Sequence, residues 1–320
     1  MLFIQAEDLR RNFTIEDFLD AAEEAFQIQA SGEFSLPDRL SYPQKNGIYN
    51  VMPCFTPRYI SNKLLTTYPI NQSRGLPTIN GVVLLADAEL GLPLAMIDGP
   101  YLTGIRTGAM GGISSKYLAP ENASSLAVIG AGVQGIWQTL SVAAIRPIRD
   151  VYVYARHPEG REAFQRQMAE MNPDLSVHLC QSGEEAAGQG EILITCTTSP
   201  EPVLPNDPAL FRGKHIMAIG TFEPTKRELP PAAIETADEI YVDTMFACQE
   251  SGDMAIPLAQ GELRPEQVQE FAQKVCQGLP RPFRRAETTL YKSVGMGLFD
   301  LVAAGHIYEK ALREGIGIQV

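Results

Sequence analysis

The sequence predicts an α/β fold in which a doubly wound parallel sheet is combined with a discontinuous α+β domain. The first observation is a glycine-rich turn at 130–135, which follows the apolar run Leu126–Ile129 and precedes a helical pattern. The second is the alternation of strand and helix patterns over residues 119–296, which is typical of a parallel sheet. The third is that residues 1–118 lack this alternation.

The first 118 residues predict one amphipathic helix and several short strands. The helix covers Thr14 to Gln29, with Thr14 as its N-cap and apolar residues at helical spacing. Strands are predicted over Gly47–Met52, Lys63–Tyr68 and Gly81–Leu85, because Pro/Gly turns separate these segments.

The alternating region predicts a series of buried strands and helices, and a last helix follows it. The predicted strands are Ser125–Ile129, Val151–Ala155, Leu175–Cys180, Glu191–Cys196, His215–Gly220, Glu239–Asp243 and Thr289–Val294. The predicted helices are Val133–Ile145, Glu159–Met171 and Gly297 to about Arg313. The Pro-rich stretch at 279–282 predicts a loop.

Composition argues against several classes of function. The 320 residues include 26 basic and 38 acidic side chains, and a net charge of −12 argues against a nucleic-acid partner. No apolar run is long enough for a membrane span, and the first residues do not resemble a signal peptide. The five cysteines form no C-x-x-C pair and the four histidines show no zinc-type spacing, so we expect a cytoplasmic protein without a metal site.

The glycine-rich turn matches the G-x-G-x-x-G fingerprint of a dinucleotide-binding Rossmann domain. Gly130 permits the tight turn, Gly132 lets the backbone approach a pyrophosphate, and Gly135 lets helix and strand pack closely. The N–H groups at the start of the helix, at Val133 and Gln134, then face the phosphates. The alternative is a glycine-rich turn that binds nothing.

The end of the second strand indicates which nicotinamide cofactor is bound. About twenty residues after the glycines, an NAD enzyme usually presents an acid to the ribose 2′-hydroxyl. Here the chain reads Tyr154-Ala155-Arg156-His157, with no acid, and Arg156 is suited to hold a 2′-phosphate. The sequence therefore predicts that NADP(H) is preferred, with NAD(H) possible. The alternative is an exposed surface arginine.

Segments in order along nearly the whole chain resemble the ornithine cyclodeaminase/mu-crystallin family. They are Gly75–Thr78, Leu84–Asp87, Gly91–Leu94, Leu102–Ala109, Tyr117–Pro120, Gly130–Gln134, Gly220–Pro224, Arg227–Leu229, Val242–Asp243, Glu250–Gly252, Tyr291–Gly295 and Asp300. The resemblance implies a homodimer, with a substrate-binding and dimerisation domain at residues 1–118 and 297–320 and a Rossmann domain at 119–296. It also implies hydride transfer between a nicotinamide and the α-carbon of an amino or imino acid.

The same resemblance implies a set of site residues. Arg39, Lys63 and Arg106 are expected to hold the substrate carboxylate, with Lys63 and Arg106 as the catalytic pair, because a buried carboxylate needs fixed positive donors. Phe222 is expected to contact the substrate. The predicted cofactor-binding residues are Thr107, Gly130, Gly132, Val133, Gln134, Gly135, Arg156, His157, Thr197 and Ser293. As alternatives, Arg39 pairs only with Asp38, and Lys63 is a surface lysine near a turn.

Two positions depart from the cyclodeaminase pattern. Phe222 stands where cyclodeaminases and the family's alanine dehydrogenases have an acid/base aspartate, and Asn50 stands where cyclodeaminases have a glutamate. Cyclodeamination needs proton transfers around the release of ammonia, so the loss of two carboxylates disfavours it. Glu223 substitutes for the missing acid only if its side chain points inward. The Phe222 form is closer to that of ketimine reductases.

The leading hypothesis is an NADPH-preferring imine or ketimine reductase of small α-imino acids, which runs in reverse as an amino-acid dehydrogenase. Its proton donor is Lys63 or a water. The alternatives are an ornithine or lysine cyclodeaminase with bound NAD and a non-catalytic, mu-crystallin-like NADPH binder. The sequence does not identify the side chain of the substrate, because the shape of the pocket depends on predicted loops around Ser41–Tyr49 and Phe246–Gln260.

Overall fold

The computed structural model describes residues 1–278 and 287–320, so the loop predicted at 279–282 lies outside the described residues. The described strands are β1 (Leu2–Ile4), β2 (Leu40–Gln44), β3 (Gly47–Phe55), β4 (Tyr59–Thr67), β5 (Ile79–Asp87), β6 (Pro93–Asp98), β7 (Ser125–Ile129), β8 (Asp150–Tyr154), β9 (Ser176–Leu179), β10 (Ile192–Thr195), β11 (His215–Ala218), β12 (Glu239–Val242), β13 (Val268–Glu270), β14 (Thr289–Lys292) and β15 (Ile318–Gln319). The described helices are α1 (Ala6–Asn12), α2 (Ile15–Ser31), α3 (Gly99–Leu118), α4 (Val133–Ile145), α5 (Pro158–Met171), α6 (Gly183–Gln189), α7 (Pro231–Glu235), α8 (Ala247–Glu250), α9 (Gly252–Gln260), α10 (Phe271–Cys276) and α11 (Gly297–Glu314).

The chain divides into two compact units. Unit 1 comprises Met1–Arg106 and Met296–Val320, and unit 2 comprises Thr107–Gly295. The division falls within α3, whereas the domain boundary expected from the sequence lies at 118/119. The predicted α/β fold class is confirmed, since a mixed sheet and a separate parallel sheet are both present.

Unit 1 is built on a seven-stranded sheet in the order β15-β1-β6-β5-β4-β3-β2. Helix α11 packs against β3, β4, β5 and β6, and α2 packs against α11. The predicted first helix is confirmed as α2: the backbone N–H of Thr14 donates to the Asp17 carboxylate at its start, and Gly32 ends it in a left-handed conformation. The rings of Phe26 and Phe299 meet edge to face at 4.6 Å and join the two helices.

Unit 2 is built on an eight-stranded sheet in the order β13-β12-β14-β11-β10-β7-β8-β9. Its neighbouring strands pair in parallel. The central strands, such as Leu126–Ile129 of β7, are apolar and buried because helices cover both faces of a parallel sheet. The chain runs from β7 to β8 on one side and returns to β10 on the other, so the strand order reverses beside β7.

Helix α3 and two predicted loops are among the segments that differ from the sequence-based expectation. Helix α3 was not among the predicted elements, because its small residues and nearly complete burial hide any amphipathic period. The segments predicted to be loops form regular structure: 41–49 lies in the β2–β3 hairpin and 246–260 contains α8 and α9. No helix in the described parts of the chain is both long and apolar enough to cross a membrane.

Candidate active site

A buried lysine and a buried aspartate form the centre of a charged cluster in unit 1. Lys63 lies in the middle of β4 between Met52 of β3 and Val83 of β5, on the face that α11 covers. Its side chain is 2% exposed, and its Nζ donates to Oδ1 of Asp300 in α11 at 3.0 Å. The alternative of a surface lysine near a turn is therefore wrong.

Arg106 joins the same carboxylate. Its Nε donates to Oδ1 of Asp300 at 3.0 Å, and both residues are buried. Oδ1 thus receives two charged donors, while Oδ2 of Asp300 is buried without a hydrogen-bond partner. A buried carboxylate oxygen without a donor is uncommon, because desolvation is costly unless a partner replaces water.

Positive charge exceeds negative charge in this cluster. Half-buried Arg39, which precedes β2, is close enough to act electrostatically on Lys63. Burial is the largest cause that lowers the pKa of Lys63; Asp300 opposes it, Arg106 and Arg39 add to it, and the resulting pKa is about 8. Lys63 and Arg106 share one carboxylate oxygen and Arg39 adds positive charge nearby, so the cluster is suited to bind an anion.

The cations of the cluster also shift the pKa of Asp300. Burial raises the pKa of Asp300, but Arg106 and Lys63 outweigh it through their charges and hydrogen bonds, so the pKa lies below its usual value. Asp300 is therefore ionised at neutral pH and fixes both cations in place. The start of α11 packs closely, since a Cβ at Gly297 would lie 3.2 Å from Leu36 Cδ1 and 3.5 Å from Cys54 Cβ.

A second feature, in unit 2, is a cavity of about 510 Å³ at the carboxyl ends of β7, β8 and β10. Five predicted cofactor residues line it: Gly130, Gly132, Arg156, His157 and Thr197. The remaining lining residues are Ile129, Tyr154, Ala155, Cys196, Thr198, Ser199, Pro200, Pro202 and Val203. This is the edge where doubly wound sheets bind ligands, beside the reversal of strand order.

The glycines of the turn have the geometry that the fingerprint requires. Gly130 has φ of +121°, which side chains rarely adopt, and a Cβ at Gly135 would lie 2.2 Å from the Gly130 carbonyl oxygen. A Cβ at Gly132 would meet nothing within 4 Å, so open space lies in front of the backbone there. Helix α4 begins after Gly132, and its first N–H groups are left free for phosphate oxygens.

The remaining predicted cofactor residues do not line this cavity. Val133 is 63% exposed at the first position of α4, and Gln134 follows it. Thr107 and Ser293 are buried in unit 2: the Thr107 carbonyl accepts from Gln138 Nε2, and Ser293 Oγ donates to Asp243 Oδ2 at 2.8 Å. Their contact with a cofactor stays a prediction.

The turn after β11 carries Phe222 and Glu223, which the resemblance places at and beside the position of the cyclodeaminase acid. Phe222 is 59% exposed. Glu223 is also exposed, and its Oε1 pairs with Lys226 Nζ at 2.5 Å. Its carboxylate therefore has a surface partner. In unit 1, Asn50 lies on β3, and its Oδ1 accepts a hydrogen bond from Ser41 at 2.7 Å.

Sequence reasoning missed the carboxylate that orders the cations. Asp300 was noted only as part of the resemblance, 194 positions from Arg106. The signal available was charge balance, because two cations in a low-dielectric core need an anionic partner. In the parts of the chain that the structure describes, no group of three or more His, Cys, Asp or Glu is placed to hold a metal ion.

The parallel sheet, the strand reversal and the glycine-lined cavity define a dinucleotide-binding Rossmann protein. The chain belongs to the ornithine cyclodeaminase/mu-crystallin family, whose model matches residues 1–315. The family predicted from the sequence segments is thus confirmed.

Its relatives include imino-acid and amino-acid enzymes. A Δ1-pyrroline-2-carboxylate reductase of Bacillus cereus (strain ZK / E33L) is 32% identical over 327 residues, covering 100% of this chain and 99% of that protein. A solved structure of Thermococcus litoralis Δ1-pyrroline-2-carboxylate reductase, in complex with NADH and L-proline, superposes with a TM-score of 0.93 at 31% identity, covering 100% of both chains. An archaeal alanine dehydrogenase dimer with bound NAD has a TM-score of 0.91 at 28% identity, covering 100% of this chain and 98% of that one.

Proposed function

We propose that this protein is a nicotinamide-dependent reductase of small cyclic α-imino acids, with Δ1-pyrroline-2-carboxylate as the first substrate to test. The observation that carries the proposal is the excess of positive charge around Asp300. Lys63, Arg106 and Arg39 supply the donors that a substrate carboxylate needs, and the guanidinium groups can bind it in a bidentate manner. The family relatives that act on Δ1-pyrroline-2-carboxylate support this substrate class.

The proposed chemistry needs little acid/base machinery from the protein. The bound nicotinamide supplies a hydride, which adds to the imine carbon and turns C=N into CH–NH. A protonated imine is already electrophilic, so binding and orientation account for most of the catalysis. The apolar Phe222 and the outward pairing of Glu223 fit such a reaction better than one that releases ammonia.

Lys63 is the proposed source of the proton on the imine nitrogen. Its pKa of about 8 lies close to neutrality, where a group donates and regains a proton readily. Asp300 holds Nζ in a fixed position, and burial keeps bulk water away. Donation leaves a neutral lysine amine, which solvent reprotonates between turnovers.

The proposed cofactor preference is for NADP(H). Arg156 and His157 line the cavity at the end of β8 and are exposed, and the lining residues include no Asp or Glu. A 2′-phosphate would find a cation there, while a ribose 2′-hydroxyl would lack its usual carboxylate acceptor. The two solved relatives described above are bound to NADH and NAD, so this preference is proposed as a property of this chain.

We also propose that the protein is a homodimer that works in the cytoplasm. In the unit 1 sheet, Leu64 pairs with Val51 and Val82, which places three half-buried apolar residues on the face opposite α11. The dimeric alanine dehydrogenase supports association, and five free cysteines fit a reducing compartment. Leu64→Lys is expected to give monomers in light scattering after gel filtration, while Leu90→Lys, at a 69% exposed site, stays dimeric.

The experiment that tests the function is cofactor oxidation by the purified protein. Δ1-pyrroline-2-carboxylate and Δ1-piperideine-2-carboxylate are each supplied with NADPH and, in parallel, with NADH. The loss of reduced cofactor absorbance is followed, and the product is identified as proline or pipecolate. We expect rapid turnover with at least one of the two substrates and faster turnover with NADPH.

Two other outcomes of these assays would replace the proposed function. Ammonia release from ornithine without net cofactor change, together with no imine reduction, would replace the proposal by cyclodeamination. Tight NADPH binding without turnover of any imino or amino acid would replace it by a binding role.

A further inference from the structure

Glu228 is a buried carboxylate that the carboxylate-binding cluster does not use. Its side chain is fully buried, and its two oxygens accept three hydrogen bonds. Oε1 accepts from the backbone N–H of Thr197 at 2.5 Å, and Oε2 accepts from the backbone N–H of Gly220 at 2.8 Å. The Thr195 hydroxyl donates to Oε2 at 3.2 Å. Donors converge on both oxygens, so the site is built for the ionised carboxylate.

These donors come from the carboxyl ends of two adjacent strands. Thr195 ends β10, Thr197 lines the dinucleotide cavity, and Gly220 follows β11. The two segments are in close contact there, since a Cβ at Gly220 would lie 2.3 Å from the Thr197 carbonyl oxygen and 2.5 Å from Glu228 Oε2. Glu228 therefore sets the spacing of two backbone segments at the edge where the cofactor is expected.

A buried ion pair fixes Glu228 itself. Its backbone N–H donates to Asp253 Oδ1 at 2.7 Å, and Asp253 Oδ2 pairs with Lys292 Nζ at 3.1 Å. Lys292 Nζ also donates to the Thr221 carbonyl at 2.7 Å and so reaches the turn after β11. The pKa of Glu228 is raised, because burial and the Asp253 charge outweigh Lys292 and the hydrogen bonds from Thr197, which lower it.

We propose that Glu228 is a positioning residue for the nicotinamide half of the cofactor. The cavity extends from Arg156, just after β8, where the adenosine ribose is expected, to Thr197 beyond β10. A dinucleotide lies across the strand ends at the reversal, so its other half continues toward β10 and β11. By holding Thr197 and Gly220, Glu228 orders the backbone beneath that half. This inference rests on the proposed hydride transfer.

The direct test is Glu228→Gln, which keeps the shape but turns an acceptor oxygen into a donor amide that faces an N–H group. We expect the single-turnover rate of hydride transfer to fall about 10- to 100-fold, because small displacements of reacting groups cost rates of this order. The affinity for 2′,5′-ADP is expected to stay within about twofold, since the contacts at Arg156 and Gly132 are untouched.

Glu191 offers a matched control at the opposite edge of the same sheet. Its Oε2 accepts from the Ser124 backbone N–H at 2.8 Å and from the Ser125 hydroxyl at 3.3 Å, at the amino ends of β7 and β10. Glu191→Gln therefore disturbs an equivalent carboxylate contact far from the strand ends that bind ligands. Its hydride-transfer rate and 2′,5′-ADP affinity should match those of the wild type.

A gentler variant keeps the test decisive if Glu228→Gln does not fold. Thr195→Val removes only the hydroxyl donor at a buried site and leaves both amide contacts, and a slower hydride transfer with unchanged 2′,5′-ADP affinity is expected. A wild-type rate in the folded variants would overturn the positioning role. A wild-type enzyme that reduces no imine at all would instead refute the proposed function.

Discussion

Each unit of the molecule contains a buried lysine–aspartate pair, and the two pairs differ in what surrounds them. In unit 1, Lys63 and Asp300 are joined by further cations, and one oxygen of Asp300 is left without a donor. In unit 2, Lys292 and Asp253 are joined by a second carboxylate, Glu228, and backbone N–H groups donate to both acids. On the proposed function, the same pair serves an anion-binding site in unit 1 and a scaffold in unit 2.

The difference shows how a charge cluster that binds a ligand can be told from one that only stabilises the fold. A charge cluster whose acceptors are satisfied by backbone groups is complete within the fold, whereas one with surplus cations needs a ligand to balance it. Loss of the lysine should therefore have different main effects in the two clusters: on stability in unit 2, and on turnover in unit 1.

The largest expected effect is on folding in unit 2. Lys292→Met leaves Asp253 and Glu228 as two buried acids without a cation, and we expect the free energy of unfolding to fall by about 3–5 kcal/mol. Lys63→Met should cost less stability, because Arg106 still neutralises Asp300. Urea denaturation of both variants measures the difference. Equal losses would contradict the distinction between the clusters.

Arg106→Ala is expected to act on catalysis instead. Removing one partner of a buried charge pair costs about 2–5 kcal/mol, so kcat/KM for the imino acid should fall about 100-fold or more. NADPH affinity and the circular dichroism spectrum should persist. Arg58→Ala, which removes an exposed arginine paired with Glu309, is the control and should leave kcat/KM unchanged. A wild-type kcat/KM in Arg106→Ala would refute the carboxylate assignment.

Cofactor preference should depend on the end of β8. Arg156→Ala removes the proposed phosphate donor, and charged hydrogen bonds contribute about 1.5–3 kcal/mol, so kcat/KM for NADPH should fall about 10- to 100-fold. The value for NADH should change by less than about twofold. A parallel loss with both cofactors would show that Arg156 serves the fold rather than the 2′-phosphate.

The smallest expected effect is on the pH profile. Lys63 has its pKa lowered to about 8, so its ammonium form is populated below that pH and is lost as the pH rises through it. Imine reduction should therefore decline above about pH 8, and the reverse amine oxidation should rise. Lys63→Arg stays charged to about pH 12, so its residual reduction should keep a flat profile through this range. If imine reduction by Lys63→Arg declines above pH 8 as it does in the wild type, the titrating group is the substrate and not Lys63.

Much of the fold could be predicted because its signals are local. The β7–turn–α4 unit was predicted with its bounds, since a buried apolar strand, a glycine turn and a helical period follow one another directly. Helix α3 escaped prediction because it is buried almost all round and its many small residues leave no amphipathic pattern. Strand β3 was predicted in part, as Gly47–Met52, whereas β2 escaped because it is a short, exposed strand that contains a proline.

The candidate site could be predicted only in part, for a similar reason. Arg106 and the glycine turn lie within contiguous motifs, so the sequence points to them. Asp300 meets Lys63 and Arg106 across 237 and 194 positions of the chain, and Glu228 meets Thr197 across 31 positions. Such partners are set by tertiary packing, which no local pattern encodes.

The most direct test of the surplus-charge account compares two imines that differ only in the carboxylate. kcat/KM is measured for Δ1-pyrroline-2-carboxylate and for 1-pyrroline, with the wild type and with Arg106→Ala. The account predicts that the wild type prefers the carboxylate by about 100-fold or more, and that Arg106→Ala loses most of this preference. Equal kcat/KM values for the two imines in the wild type would contradict it.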